Sequence, residues 1–83
     1  MGKMMITGVQ IRAARGIMRW STAELAQRAS IARSTVIRAE GYDKVPVITK
    51  ANLTAIQIAL EAVGIRFGED QTVSYHPIAT TEA

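Results

Sequence analysis

From Thr7 to Gly64 the apolar residues recur at helical spacing in four blocks, and beyond Ile65 they alternate in the manner of strands. In the first block Ile11, Ala14 and Met18 fall at i, i+3 and i+7 on one face, while Arg12 and Arg19 fall elsewhere. The Thr7 hydroxyl is placed to cap this helix, which is predicted from Gly8 to Gly16 or Ile17. Gly16 either marks its end or sits in its last turn at a cost of about 1 kcal/mol. Residues 1–6 carry no cap and no period and read as a flexible start, with Met4 and Met5 near the edge of the core.

The second block opens on Ser21-Thr22-Ala23-Glu24, which has the spacing of a capping box. The serine oxygen serves the amide of residue 24, and the glutamate reaches back to the amide of residue 21. Trp20 before the cap and Leu25 at the fourth helical position suit a hydrophobic staple, which makes the tryptophan a structural anchor rather than a binding platform. Leu25, Ala26 and Ala29 form the inward face, and the two alanines allow a neighbouring helix to approach closely. Ser30-Ile31-Ala32 leaves room only for a sharp turn, with Ile31 filling the angle. A third helix is predicted from Arg33 to Glu40, with Val36 and Ala39 inward and Arg33, Ser34, Ile37 and Arg38 outward. Gly41 is expected to supply a left-handed stop.

Tyr42, Asp43 and Pro46 mark residues 41–48 as a loop, flanked by Lys44 and Lys50. Thr49 caps a fourth helix in which Leu53, Ile56, Leu60 and Val63 keep the helical period, Ala55, Ala59 and Ala62 widen the apolar face, and Gly64 ends the run. Residues 65–67 and 72–75 alternate around Gly68-Glu69-Asp70-Gln71, the pattern of a small hairpin. A two-stranded hairpin is marginal in water. It is expected either to pair with the same hairpin of a second subunit or to give way to a short strand folded against the fourth helix, and residues 76–83 read as tail. The domain division is therefore 1–6, 7–64, 65–75 as a strand or hairpin and possible dimerisation element, and 76–83. The fold class is all-α: four helices with a short extended C-terminal addition.

With 83 residues, 48% of them hydrophobic and 20% charged, the chain has material for one small folded domain. Its net charge of +3 conceals a split: residues 1–50 hold nine Lys or Arg against Glu24, Glu40 and Asp43, whereas residues 51–83 hold Arg66 against Glu61, Glu69, Asp70 and Glu82. That polarity suits a module that turns one basic face to a polyanion. Cysteine is absent, which excludes disulfides and thiolate metal sites. No apolar run approaches membrane-spanning length and residues 1–7 are too short for a signal peptide, so a cytoplasmic protein without membrane contact is expected. The inventory for catalysis is thin: one histidine beside Pro77, no glycine-rich phosphate loop, and adjacent Glu69 and Asp70 in a turn. No enzyme activity, metal or cofactor is expected.

Taken in order, Ser21-Thr22-Ala23-Glu24-Leu25-Ala26, Ala32-Arg33-Ser34-Thr35-Val36 and Glu40-Gly41 resemble the core pattern of the phage lambda and Cro-like repressors, the XRE helix-turn-helix family of bacterial and phage transcriptional regulators. The resemblance covers about residues 7–65. It implies a lambda-repressor-like fold whose third helix lies in the major groove, with Arg33, Ser34 and Arg38 reading bases and Ile37 touching a thymine methyl. It also implies that Thr22, with the amides that open the second helix, holds a phosphate. Thr35, Arg12, Arg19 and Lys44 are further candidates for backbone contacts, with plain solvation the alternative for each exposed cation. Arg15 and Glu40 match a structural ion pair between the first helix and the end of the third. The chain departs from the pattern at Thr22, Ser30, Ala32 and Ile37, where glutamine, glycine, serine and a polar residue are usual. The expected function is a sequence-specific regulator of double-stranded DNA, a repressor acting as a homodimer. The alternative is a helix-turn-helix interaction module, an adaptor or antitoxin-like protein with a protein partner.

Overall fold

The starts of the helices follow from side chains that satisfy backbone amides with no partner inside the helix. In the computed structural model, which describes residues 5–78, four helices are followed by two short strands: α1 (Gly8–Met18), α2 (Thr22–Ala29), α3 (Arg33–Glu40), α4 (Lys50–Glu61), β1 (Ile65–Phe67) and β2 (Val73–Tyr75). At α1 the capping box is complete, since the Gln10 amide donates to Thr7 Oγ1 at 3.2 Å and the Thr7 amide donates to Gln10 Oε1 at 3.0 Å. At α2 only half of the expected box forms. The Glu24 amide donates to Ser21 Oγ at 3.0 Å, but the Glu24 carboxylate turns forward to Arg28 Nη2 at 3.3 Å. At α4 the Asn52 amide donates to Thr49 Oγ1 at 3.1 Å, and α3 starts at Ala32 with no side-chain cap.

Of the two readings of Gly16 the one inside the last turn holds, and the left-handed stop expected at Gly41 is corrected. Gly16 lies inside α1, which continues to Met18 and stops where Arg19 takes a left-handed conformation with φ of 60°. Gly41 is right-handed, with φ of −76°. There the chain leaves α3 by tight turns, the amides of Gly41 and Tyr42 donating to the carbonyls of Arg38 and Ala39, so no left-handed residue is needed. Ser30 takes the left-handed position between α2 and α3, with φ of 58°.

The core runs through all four helices, with Ile11 and Ala14, Leu25 and Ala26, Val36 and Ala39, and Leu53, Ile56 and Leu60 buried. Trp20 is buried beside them, and Met18, Ile31 and Val63 pack against them half-buried. Ala62, expected on the apolar face, is exposed at the C-cap of α4. Ile6 belongs to the core although residues 1–6 were expected to be flexible: it is fully buried, while Met5 is exposed. Residues 1–4 of that segment lie outside the described residues. Gly8 is required where α1 meets the segment after α3, for a Cβ there would fall 1.9 Å from the Tyr42 carbonyl oxygen. Its amide donates to Lys44 O at 3.1 Å.

The hairpin forms, with β1 antiparallel to β2 and Phe67 opposite Val73. Its support comes from the same chain. Ile65 is fully buried, and Phe67 and Val73 pack on the core. Gln10 is 2% exposed and donates through Nε2 to Gly68 O at 2.9 Å and Thr72 O at 3.0 Å, while Thr7 Oγ1 donates to Gln71 Oε1. Gly64, with φ of 106°, ends the helical run, and its carbonyl accepts from the His76 amide at 2.7 Å. Intrachain docking thus meets the marginal stability of a lone hairpin. Residues 79–83 of the expected tail lie outside the described residues. Among the described residues no helix is long and apolar enough to cross a membrane.

Candidate nucleic-acid interface

The three residues between α2 and α3 hold the two helices against one another, with Ala26, Ala29, Val36 and Ala39 buried and Ile31 half-buried at the turn. Because one side of α3 faces the core, its other side emerges: Arg33, Ser34, Ile37 and Arg38 are all exposed. Ile37 is 47% exposed, high for a branched aliphatic residue. Thr22 is half-buried at the first position of α2, and its Oγ1 accepts from Arg33 Nε at 3.1 Å. The expected phosphate-holding residue and the first expected base-reading residue are therefore in contact. With Nε engaged, Arg33 keeps its two Nη groups, which are suited to a bidentate acceptor such as the O6/N7 edge of guanine.

The backbone adds to this surface. α3 has no side-chain cap, and its first intrahelical donors are the amides of Thr35 and Val36, both to Ala32 O. The amides at the start of a helix carry a partial positive charge and attract anions. Thr35 is half-buried at the third position of α3. Arg19 is exposed at the left-handed end of α1, and Lys44 is exposed in the loop after α3 with its carbonyl taken by Gly8. Arg12 is placed differently from these cations: it donates to Glu40 O and lies 3.4 Å from Asp43 Oδ1. It is engaged within the protein at the C-terminal end of α3.

Arg15 and Glu40 form the ion pair expected of them. Arg15 Nε meets Glu40 Oε2 at 2.7 Å and Nη2 meets Oε1 at 2.9 Å, a bidentate fork, while Nη1 donates to Trp20 O at 2.9 Å. The Glu40 side chain is only 8% exposed. Its hydrogen bond raises the Arg15 pKa, against the opposing effect of burial and with further help from the charge of Glu40. A raised arginine pKa means that this contribution to stability is fully present below the ordinary arginine range and is lost only as pH rises past the folded-state value.

Two residues that carry structural contacts were not singled out from sequence. Gln10 had an available signal, since Thr7 and Gln10 stand at capping-box spacing. Arg28 lies with its guanidinium 4.3 Å from the centre of the Trp20 ring while also pairing with Glu24. Its spacing of four residues from Glu24 was the visible signal. Among the described residues no group of three or more His, Cys, Asp or Glu side chains is placed to hold a metal ion. Comparison with protein-family models, curated proteins and solved structures found no match.

Proposed function

We propose that this chain is a sequence-specific double-stranded DNA-binding regulator of the lambda-repressor and Cro-like helix-turn-helix family, a repressor acting as a homodimer and reading the major groove through α3. The observation that carries the reading is the contact of Arg33 with Thr22 at the mouth of a short, uncapped helix whose outer face is exposed and basic. It supports a division of labour in which Thr22 and the first amides of α2 hold a phosphate and Arg33, Ser34 and Arg38 meet base edges. Thr35, Arg19 and Lys44 join the backbone contacts. Arg12 contributes through the shape of the α3 C-terminus. A two-fold pair of modules reads two half-sites, which supplies the base contacts that one 8-residue helix lacks.

Ile37 favours a second reading, a protein-docking module, because an exposed isoleucine in the middle of α3 suits an apolar partner as well as a thymine methyl. Binding to a nonspecific duplex across a salt series separates them. DNA binding through about six phosphates predicts roughly a thousandfold loss of affinity between about 50 and 200 mM salt. Absent or salt-independent binding would favour the docking module and overturn the DNA reading.

A further inference from the structure

The exposed side chains of α3 stand in two columns, each spanning one helical turn: Arg33 with Ile37, and Ser34 with Arg38. Glu40, the one acid on this helix, is buried, so the charge on the outward face is positive alone. Ile37 is the exception on that face, an aliphatic side chain flanked by Arg33 and Arg38 and left largely in water. We infer that Ile37 and Arg33 together read the 5-methyl group of a pyrimidine beside a guanine, so that 5-methylcytosine serves as well as thymine and methylation of cytosine strengthens binding. The inference rests on the DNA reading of α3 and adds to it a response to the chemical state of the DNA.

The Thr22 hydroxyl accepts from Arg33 Nε, which aims the guanidinium and leaves both Nη groups for the O6/N7 edge of a guanine. Ile37 lies four residues on, its Cβ about 5–6 Å from that of Arg33, and successive bases are stacked about 3.4 Å apart. It therefore comes over a base pair one or two steps from that guanine. An isoleucine offers neither donor nor acceptor. Against a bare amino or carbonyl edge it strips water from a polar group and leaves that group unpaired, whereas against a methyl it closes an apolar contact. The major groove presents such a methyl at pyrimidine C5, in thymine and in 5-methylcytosine alike, where uracil and cytosine carry only hydrogen. Thymine and 5-methylcytosine differ at the group on C4, which an isoleucine cannot hydrogen-bond. The planar Arg33 guanidinium, its edge bonded to the guanine, turns its weakly hydrated face to the same methyl. An exposed isoleucine that costs the free protein solvation is thereby covered only on a duplex carrying the methyl.

The test uses the duplex that the full chain enriches from a random pool, remade at each pyrimidine position in turn. Thymine against uracil and 5-methylcytosine against cytosine are two comparisons that each differ by one methyl group. At a position next to a guanine, loss of the methyl is expected to weaken binding about fourfold in either comparison, the effect of burying one carbon. Ile37→Ser should bring both ratios close to one, with the unfolding midpoint and the salt dependence of binding left as in the wild type. Arg33→Lys should lower the ratios in part, since it keeps the charge and loses the flat face. Binding that ignores every methyl would overturn the inference and leave the DNA reading in place. The same holds for a methyl effect that survives Ile37→Ser, and for an effect of thymine without one of 5-methylcytosine. A chain that enriches no duplex and shows no salt-dependent binding overturns both readings and returns Ile37 to a protein partner.

Discussion

At the start of α3, Arg33 is exposed, donates to Thr22 Oγ1, and follows an alanine that leaves the helix uncapped. At its end, Glu40 is buried, gripped by both arms of Arg15, and its carbonyl takes the Arg12 guanidinium. Both ends carry charged side chains, so charge alone does not assign their work. What separates them is solvent: a buried charge must be paired to be tolerated, whereas an exposed arginine is held by little and is free to exchange its partner for a ligand. Such a helix is fixed at one end and available at the other, the arrangement a reading element needs. A flexible start would lose register, and a fully satisfied one would have nothing to offer a groove.

Substitutions can break that contrast, and the scaffold end should respond most. Arg15→Ala leaves Glu40 buried without its cation and should destabilise the fold by about 3 kcal/mol in denaturant unfolding, the lower end for a broken buried pair. An unchanged unfolding midpoint would remove Arg15 from the scaffold. Gln10→Ala comes next. It strips the side-chain donor from Gly68 O and Thr72 O, the latter keeping the Gly68 amide, and half of the cap from α1, so a loss of about 2 kcal/mol is expected, with amide exchange in β1 and β2 accelerated more than in α3. At the open end the effect should move from stability to binding: Arg33→Ala should alter unfolding by less than about 0.5 kcal/mol. Its affinity for a specific duplex should fall about tenfold to a hundredfold, the loss of one bidentate arginine–guanine contact. The smallest change expected is a gain. Ala32→Ser gives α3 the cap it lacks and should stabilise the protein by up to about 1 kcal/mol, read as a higher unfolding midpoint.

The helices were legible because several local signals agreed at each: threonine or serine caps at Thr7, Ser21 and Thr49, apolar stripes at helical spacing, and a connection at residues 30–32 too short for anything but a turn. The Arg15–Glu40 pair was legible only through resemblance to a known pattern. What escaped were contacts between segments far apart in the chain. Gln10 meets carbonyls 58 and 62 residues away, and nothing in a polar residue on a helix announces that it will be buried. The Arg12 partner is a backbone oxygen, which sequence does not distinguish from any other. A single apolar residue such as Ile6 has no period to betray it. Gly41 misled because glycine permits a left-handed stop without requiring one. At the candidate interface the exposure of Arg33, Ser34, Ile37 and Arg38 followed from the stripe opposite them, but the Thr22–Arg33 contact joins two helices and needed their packing.

The central claim, that the exposed side of α3 reads bases, is tested most directly by selecting bound sequences from a random duplex pool with the wild type, Arg33→Ala and Arg38→Ala. Enrichment of a two-fold related site by the wild type is expected, with each variant relaxing preference at its own position and leaving the others intact. Identical base preferences in all three proteins would contradict the claim, as would a wild type that enriches no sequence at all.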